Sequence, residues 1–244
     1  MKLFKTYVVV VLLTLLTVTK ISAQETVIND KTNTWFTMLN RLNINEKWSV
    51  SNELHERTGA LLSEQATFLW RPSVEYHLNA DVELVAGYSL LLNEPNLPYV
   101  TTINTKEHNV WEQILLKNHI GKINIQHRIR QEHRWNDAIE NNTISGTTFS
   151  NRFRYRLTAN TPIVHLKNNH EIFAHVFDEI WVAQTNNLMP SAFKRNWFYA
   201  GLGYKFNAKA NIQLGYMNQW DAAAANSFIN THIIQTTFVK NFNL

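Results

Sequence analysis

From residue 35 onward the sequence repeats one local pattern: stretches of about ten residues in which apolar and polar side chains alternate. A period of two belongs to strands, whose successive side chains point to opposite faces, whereas helices bring together residues three and four apart. Between Gln65 and Leu78 one face carries Ala66, Phe68, Trp70, Val74, Tyr76 and Leu78. The other carries Gln65, Thr67, Leu69, Arg71, Ser73, Glu75 and His77. After a turn at 79–81, Val82, Leu84, Ala86, Tyr88, Leu90 and Leu92 take up one face of the next strand. Ile123, Ile125 and Ile129 oppose Gln126, Arg128, Arg130, Glu132 and Arg134. Phe149, Phe153, Tyr155 and Leu157 then alternate with Ser150, Arg152, Arg154 and Arg156. Phe198, Ala200, Leu202, Tyr204 and Phe206 alternate with Trp197, Tyr199, Gly201 and Gly203. Wound into helices, these segments would scatter their arginines around the axis, so the helical reading fails.

The pattern predicts an all-β chain, a single antiparallel transmembrane β-barrel of ten to twelve strands. Strands are expected at 35–44, 47–57, 65–78, 82–92, 107–117, 123–135, 148–158, 169–181, 195–206, 211–220 and 229–244. Short turns (45–46, 79–81, 118–122, 207–210) alternate with longer loops (58–64, 93–106, 136–147, 182–194, 221–228), as in outer-membrane barrels. The connection at 159–168 is long where a short turn is due. Bacterial single-chain barrels have even strand numbers, so either residues 25–33 add a twelfth strand or one of the eleven is misplaced. Pro72 removes a ladder donor and predicts a bulge or bend. Val110 and Trp111 compete for the outer face of 107–117.

Residues 1–23 read as a cleaved signal peptide preceding a barrel at 24–244. Lys2 and Lys5 precede the apolar run Tyr7 to Val18, and Ile21-Ser22-Ala23 offers a small-residue cleavage site before Gln24. The run falls short of the roughly 20 apolar residues that a membrane helix needs. The segment carries three lysines and no acid. Without it, the 23 basic and 19 acidic residues become 20 and 19, so the formal charge of +4 falls to +1. Basicity therefore does not argue for a nucleic-acid partner. The absence of cysteine excludes disulfides, thiolate metal sites and a cysteine nucleophile. The expected location is the outer membrane, with its lipid and its assembly machinery as partners. At the C-terminus, Ile234, Phe238, Phe242 and Leu244 share one face of a final strand, which resembles an outer-membrane assembly signal.

The strongest chemical constellation is an arginine face. Arg128, Arg130 and Arg134 lie on one strand and Arg152, Arg154 and Arg156 on its expected neighbour, with Glu132 the one acid in either run. Like charges directly opposite repel, so carboxylates must come from other strands, with Glu53, Glu75, Glu107, Glu171 and Glu179 as candidates. Arg195 joins the candidate lumen set. Two readings stand. The arginines form a lumen ion-pair network that plugs the barrel, or they line a narrow anion-preferring pore or a site for a small anionic solute. Guanidinium forks suit phosphate and carboxylate alike.

His55, His77, His108, His127, His133, His170 and His175 show no tight ligand spacing, so neither a metal nor another cofactor is assigned. Glu132 and His133 are the nearest acid–histidine neighbours for a hydrolytic site, but the chain has no His-X-Ser stretch and no Gly-X-Ser-X-Gly elbow. No catalytic residue is assigned. Trp48, Trp70, Tyr76, Tyr88, Trp135, Tyr204, Tyr216 and Trp220 fit the aromatic girdles of a membrane barrel.

Several of these stretches, taken in order, resemble an uncharacterised outer-membrane family, the domain of unknown function numbered 2490. They are Trp35, Lys47-Trp48, Gly87-Tyr88, Glu107-His108 with Trp111 and Gln113, the two arginine runs, and Asp178-Glu179. Arg195-Asn196, Gly201-Leu202-Gly203-Tyr204 and Leu214-Gly215-Tyr216 complete the set. Asn109 departs from the Glu-His-Arg stretch usual there. The resemblance spans nearly all of residues 24–244 and implies an outer-membrane barrel without an assigned activity.

Overall fold

The computed structural model describes residues 25–95, 103–224 and 227–244. The expected signal segment lies outside these residues. Eleven strands close into one barrel: β1 Glu25–Asn43, β2 Trp48–Gly59, β3 Glu64–His77, β4 Val82–Asn93, β5 Thr105–Ile120 and β6 Ile123–Glu140. β7 Thr143–His165, β8 Glu171–Gln184, β9 Pro190–Asn207, β10 Ala210–Ala224 and β11 Ser227–Asn243 complete it. Each strand pairs antiparallel with its sequence neighbours, and β1 closes on β11 in parallel. The parallel seam follows from the odd number, because an up-and-down chain of eleven strands ends in the direction in which it began. Among the described residues there is no twelfth strand, and residues 25–33 are the first part of β1. No helix among the described residues is long and apolar enough to cross a membrane, which says nothing of strands.

All eleven expected strands are present, but several run longer than their alternation suggested. The expected loop at 136–147 is a β6–β7 hairpin closed by Asn141 and Asn142, both at positive φ, the backbone that a tight two-residue turn requires. The expected loop at 182–194 shrinks to 185–189 between β8 and β9. At 159–168 the strand continues to His165 and ends in a 3₁₀ turn, Lys167–Asn169. Pro72 produces no bulge: it pairs with Asn52, and the β3–β4 register is the same before and after it.

Alternation sorts the side chains onto two surfaces. Outward rows carry exposed apolar groups such as Val74, Leu84, Ile114, Phe198, Leu202 and Phe242. Inward rows carry the buried residues, polar and aromatic together. In β5 the buried positions are 107, 109, 111, 113 and 115, so Trp111 points inward and Val110 outward. Gly87 explains why: a Cβ there would lie 2.3 Å from the Trp111 ring. Gly201 and Gly215 make the same room for Tyr199, and Gly203 for Phe173.

Four of the eight tryptophans (Trp48, Trp70, Trp135 and Trp220) sit on the outer wall, the first three exposed and Trp220 half-buried. The other four (Trp35, Trp111, Trp181 and Trp197) are buried inside. Trp35, Trp181 and Trp197 join Phe177, Tyr199, Met217 and Ile233 in one cluster that fills the β8–β11 side of the lumen.

The two surfaces should respond oppositely to substitution. Leu84→Arg and Leu202→Arg, on the outer wall, should each cost about 2–4 kcal/mol if the barrel sits in a bilayer. Gly201→Ala, facing inward, should destabilise through the Tyr199 clash. Urea unfolding in lipid vesicles measures both. Equal tolerance of Leu84→Arg and a neutral outward change such as Leu84→Ile would contradict the assignment of faces.

Candidate functional site

The six arginines of the two runs all point inward, and register decides who meets whom. Arg128 lies opposite Arg156, Arg130 opposite Arg154, and Glu132 opposite Arg152. Two facing arginine pairs on adjacent strands repel unless carboxylates lie between them. Glu179, one strand further on in β8, does this for one group: it accepts from Arg128 at 2.6 Å, Arg154 at 2.8 Å and Arg156 at 2.5 Å. Glu132 accepts from Arg154 at 2.7 Å and Arg152 at 2.5 Å, with Arg130 at 3.8 Å. Both carboxylates have no solvent exposure, and Arg154, which bridges them, is 2% exposed. Glu107 completes the net as a two-pronged partner of Arg134, at 2.6 and 2.7 Å. Arg130 instead donates to Gln113 at 2.8 Å.

Aromatic faces supply the remaining contacts. The guanidinium of Arg154 lies 3.8 Å from the Trp181 ring centroid, Arg156 lies 3.9 Å from Phe177, and Arg130 lies 4.0 Å from Trp111. Desolvated contacts of this kind contribute about 2 kcal/mol. The inward aromatics thus both fill the lumen and hold its cations.

Of the five carboxylates expected to serve the arginine runs, Glu107 and Glu179 do. The other three serve different cations. Glu53 pairs with Arg71 at 3.3 Å and with His55, Glu75 with Arg41 at 2.7 Å, and Glu171 with Lys205 at 2.6 Å. At the short-turn end, Arg41 also reaches Glu83 at 2.8 Å, which holds Lys117 at 2.5 Å. Arg195 meets Asp221. Glu132 and His133 face opposite sides of the wall, inward and outward, and cannot form one catalytic pair. The histidines divide likewise: His55, His77 and His175 point inward, and His108, His127 and His133 outward. No group of three or more His, Asp or Glu among the described residues could hold a metal ion.

The charges are unevenly spread along the axis. At the short-turn end, Arg41, Lys117 and Lys205 balance Glu75, Glu83 and Glu171. In the middle and loop end, below the rim, Arg57, Arg71, Arg128, Arg130, Arg134, Arg152, Arg154, Arg156 and Arg195 outnumber Glu53, Glu107, Glu132, Glu179 and Asp221. Nine cations there face five anions.

This excess surrounds a cup of about 340 Å³ lined by Arg57, Arg71, Arg134, Arg152, Arg195, Glu107, Trp35 and Trp181, with Asn93, Glu94 and Thr105 forming its rim. A second hollow of about 420 Å³ shares Arg134, Arg152, Trp181 and Arg195. Arg57, which the sequence reading missed, has no carboxylate partner among the described residues. Its guanidinium lies over Trp35 at 4.1 Å, and its buried Nε lacks a hydrogen-bond acceptor. The indole Nε1 of Trp181 is likewise buried and unpartnered. The alternation Ser49, Ser51, Glu53, His55, Arg57 in β2 was the signal that could have placed Arg57 in the lumen.

The family model described as "Protein of unknown function (DUF2490)" matches residues 32–230, which hold every lumen residue named above except Ile233. The chain belongs to that family. No curated protein and no solved structure matches it. Within this DUF2490 barrel, Asn109, the departure from the expected Glu-His-Arg stretch, points inward with no exposure and donates to Glu107 at 3.3 Å.

Glu179→Gln should leave Arg128, Arg154 and Arg156 without a shared anion. Removing one partner of a buried pair costs about 3–5 kcal/mol, so thermal unfolding of the detergent-solubilised barrel should fall sharply. Glu171→Gln, at the half-exposed Lys205 pair, should change it less. A melting temperature for Glu179→Gln as high as that of the unmutated protein would contradict the net's role.

Proposed function

We propose that the chain is an outer-membrane barrel, exported through a cleaved signal peptide, that binds a small anionic solute in the basic cup at the loop end of a closed lumen. The membrane reading is supported by a largely apolar outward surface on a fully closed ladder, the one sheet form that leaves no backbone edge to lipid. Outward aromatic pairs support it too, such as Trp48 with Tyr76 at 4.8 Å and Trp135 with Phe149 at 5.2 Å.

One observation carries the solute reading. The cup's unmatched groups, Arg57 and the Trp181 indole, are donors beneath a surplus of arginines; Arg128 Nε and Arg130 Nη1 in the middle are also buried without acceptors, but they line no cup. Buried donors without acceptors are costly, and an acceptor-rich anion would satisfy them. The filled middle, with Glu132, Glu179 and Arg154 out of contact with solvent, favours a binding cup over a through pore. A second reading, a purely stiffening plug, has the ion-pair net in its favour but gives no reason for unmatched donors at the loop end.

Citrate serves as the probe and glucose as the neutral control, titrated calorimetrically into the purified barrel. The unmutated protein should bind citrate and not glucose. Arg57→Gln should weaken citrate binding about tenfold, since a charge-assisted hydrogen bond contributes roughly 1.5–3 kcal/mol. Its melting temperature should fall only modestly, because the Trp35 contact is lost but no carboxylate loses a partner. Equal citrate affinity in both proteins, or none in either, would overturn the cup.

A further inference from the structure

The cup sorts its spare hydrogen-bonding groups by depth. Of the five arginines that line it, Arg71, Arg134, Arg152 and Arg195 each meet a carboxylate, on Glu53, Glu107, Glu132 and Asp221. Arg57 alone meets none among the described residues. Arg57 Nε and Trp181 Nε1 are the buried donors of the cup wall that lack acceptors. Both groups lie against Trp197: the Arg57 guanidinium is 5.7 Å from that ring's centroid, and the Trp181 ring is 4.5 Å from it.

One unmatched charge and two spare donors fit the single charge and two oxygens of a carboxylate. A phosphate monoester carries about −1.5 to −2 charge on three acceptor oxygens at neutral pH. The cup leaves no second guanidinium without a carboxylate to meet that extra charge. Glu107 also stands in the wall, its two oxygens already taken by Arg134.

The rim differs in kind. Asn33 and Thr105 make no side-chain hydrogen bond among the described residues. Asn93 accepts from Thr67 Oγ1 at 3.0 Å, which fixes its amide and leaves its N–H groups free among the described residues. Glu94, exposed beside them, pairs with no cation among the described residues. Carboxamides and hydroxyls both donate and accept, whereas a carboxylate only accepts. A solute that brings hydroxyls to this rim engages all four residues. A hydrocarbon tail engages none of them, and a second anion meets Glu94. The cup, at about 340 Å³, is at the small end of ligand sites, which run from roughly 300 to 1,000 Å³, and has room for about one sugar ring.

We propose that the cup takes a sugar acid, its carboxylate held at depth by Arg57 and the Trp181 indole and its hydroxyls engaged at the rim by Asn33, Asn93, Glu94 and Thr105. This rests on the anionic-solute reading above and narrows it.

The test is calorimetric titration of the full barrel with glucuronate, hexanoate, glucose 1-phosphate and glycylglycine. Hexanoate has the carboxylate without hydroxyls, glucose 1-phosphate has the hydroxyls with a phosphate, and glycylglycine would bring an ammonium to Glu94. Glucuronate should bind about tenfold tighter than each of the others, the effect of one or two net hydrogen bonds. Trp181→Phe, which keeps a ring and removes the N–H, should weaken glucuronate and hexanoate alike. Asn93→Leu combined with Thr105→Val should weaken glucuronate about tenfold and leave hexanoate unchanged. The comparison among solutes uses the unmutated protein, so it holds even where a variant fails to fold. Hexanoate, glucose 1-phosphate or glycylglycine binding as tightly as glucuronate would overturn the sugar acid, as would undiminished glucuronate affinity in the folded rim variant. Citrate binding without a preference for glucuronate removes this inference alone, whereas no binding of citrate or of any of these anions removes the cup as well.

Discussion

Two carboxylates without solvent contact, Glu132 and Glu179, allow five arginines to share the middle of one barrel. Strand pairing sets Arg128 against Arg156 and Arg130 against Arg154, an arrangement that would push β6 and β7 apart by itself. Glu179 enters from β8 and Glu132 from β6, so the net ties three consecutive strands together through their side chains as well as their ladders. Arg154 is the joint, touching both carboxylates while its guanidinium rests on Trp181. A net this deeply desolvated gains most where its members are matched. The faces of Trp111, Trp181 and Phe177 meet its guanidiniums, and the donors left over are Arg128 Nε and Arg130 Nη1.

The matching is not carried to the loop end. Charges balance at the short-turn mouth, where Arg41 spans Glu75 and Glu83, but cations exceed anions in the middle and beyond it. Arg57 marks the change, a guanidinium stacked on Trp35 with a buried nitrogen left over. A barrel selected for rigidity alone would match that group with an acid or replace it with an apolar residue, since unmatched buried donors subtract stability. A concave, basic and aromatic-lined cup over a closed floor is the geometry of capture rather than passage.

Much of the fold was legible in the sequence because the strand period is so regular. Even the inward placement of the two arginine runs followed from alternation alone. Strand ends were less legible. Asn141-Asn142 reads as loop polarity, yet these two residues close a hairpin whose flanking Ile139 and Ile144 continue the strands. The phase of β5 could not be read from Val110 and Trp111 by themselves, because the space that admits Trp111 is created by Gly87 on another strand. Ion-pair partners were illegible for the same reason. Whether Glu75 meets Arg41 or an arginine of β6 depends on register and barrel closure, which join residues far apart in sequence. The cup itself draws on every strand from β1 to β10, so no local pattern announces it.

The central claim is that side chains close the lumen at the arginine–glutamate net. Single-channel recording of the purified barrel in planar bilayers tests it most directly. A closed lumen predicts a silent membrane: insertion verified by protease protection, and no discrete conductance steps at any salt concentration. Uniform, ohmic steps that grow with salt would mean a water-filled passage through the centre, and would contradict the account at its foundation.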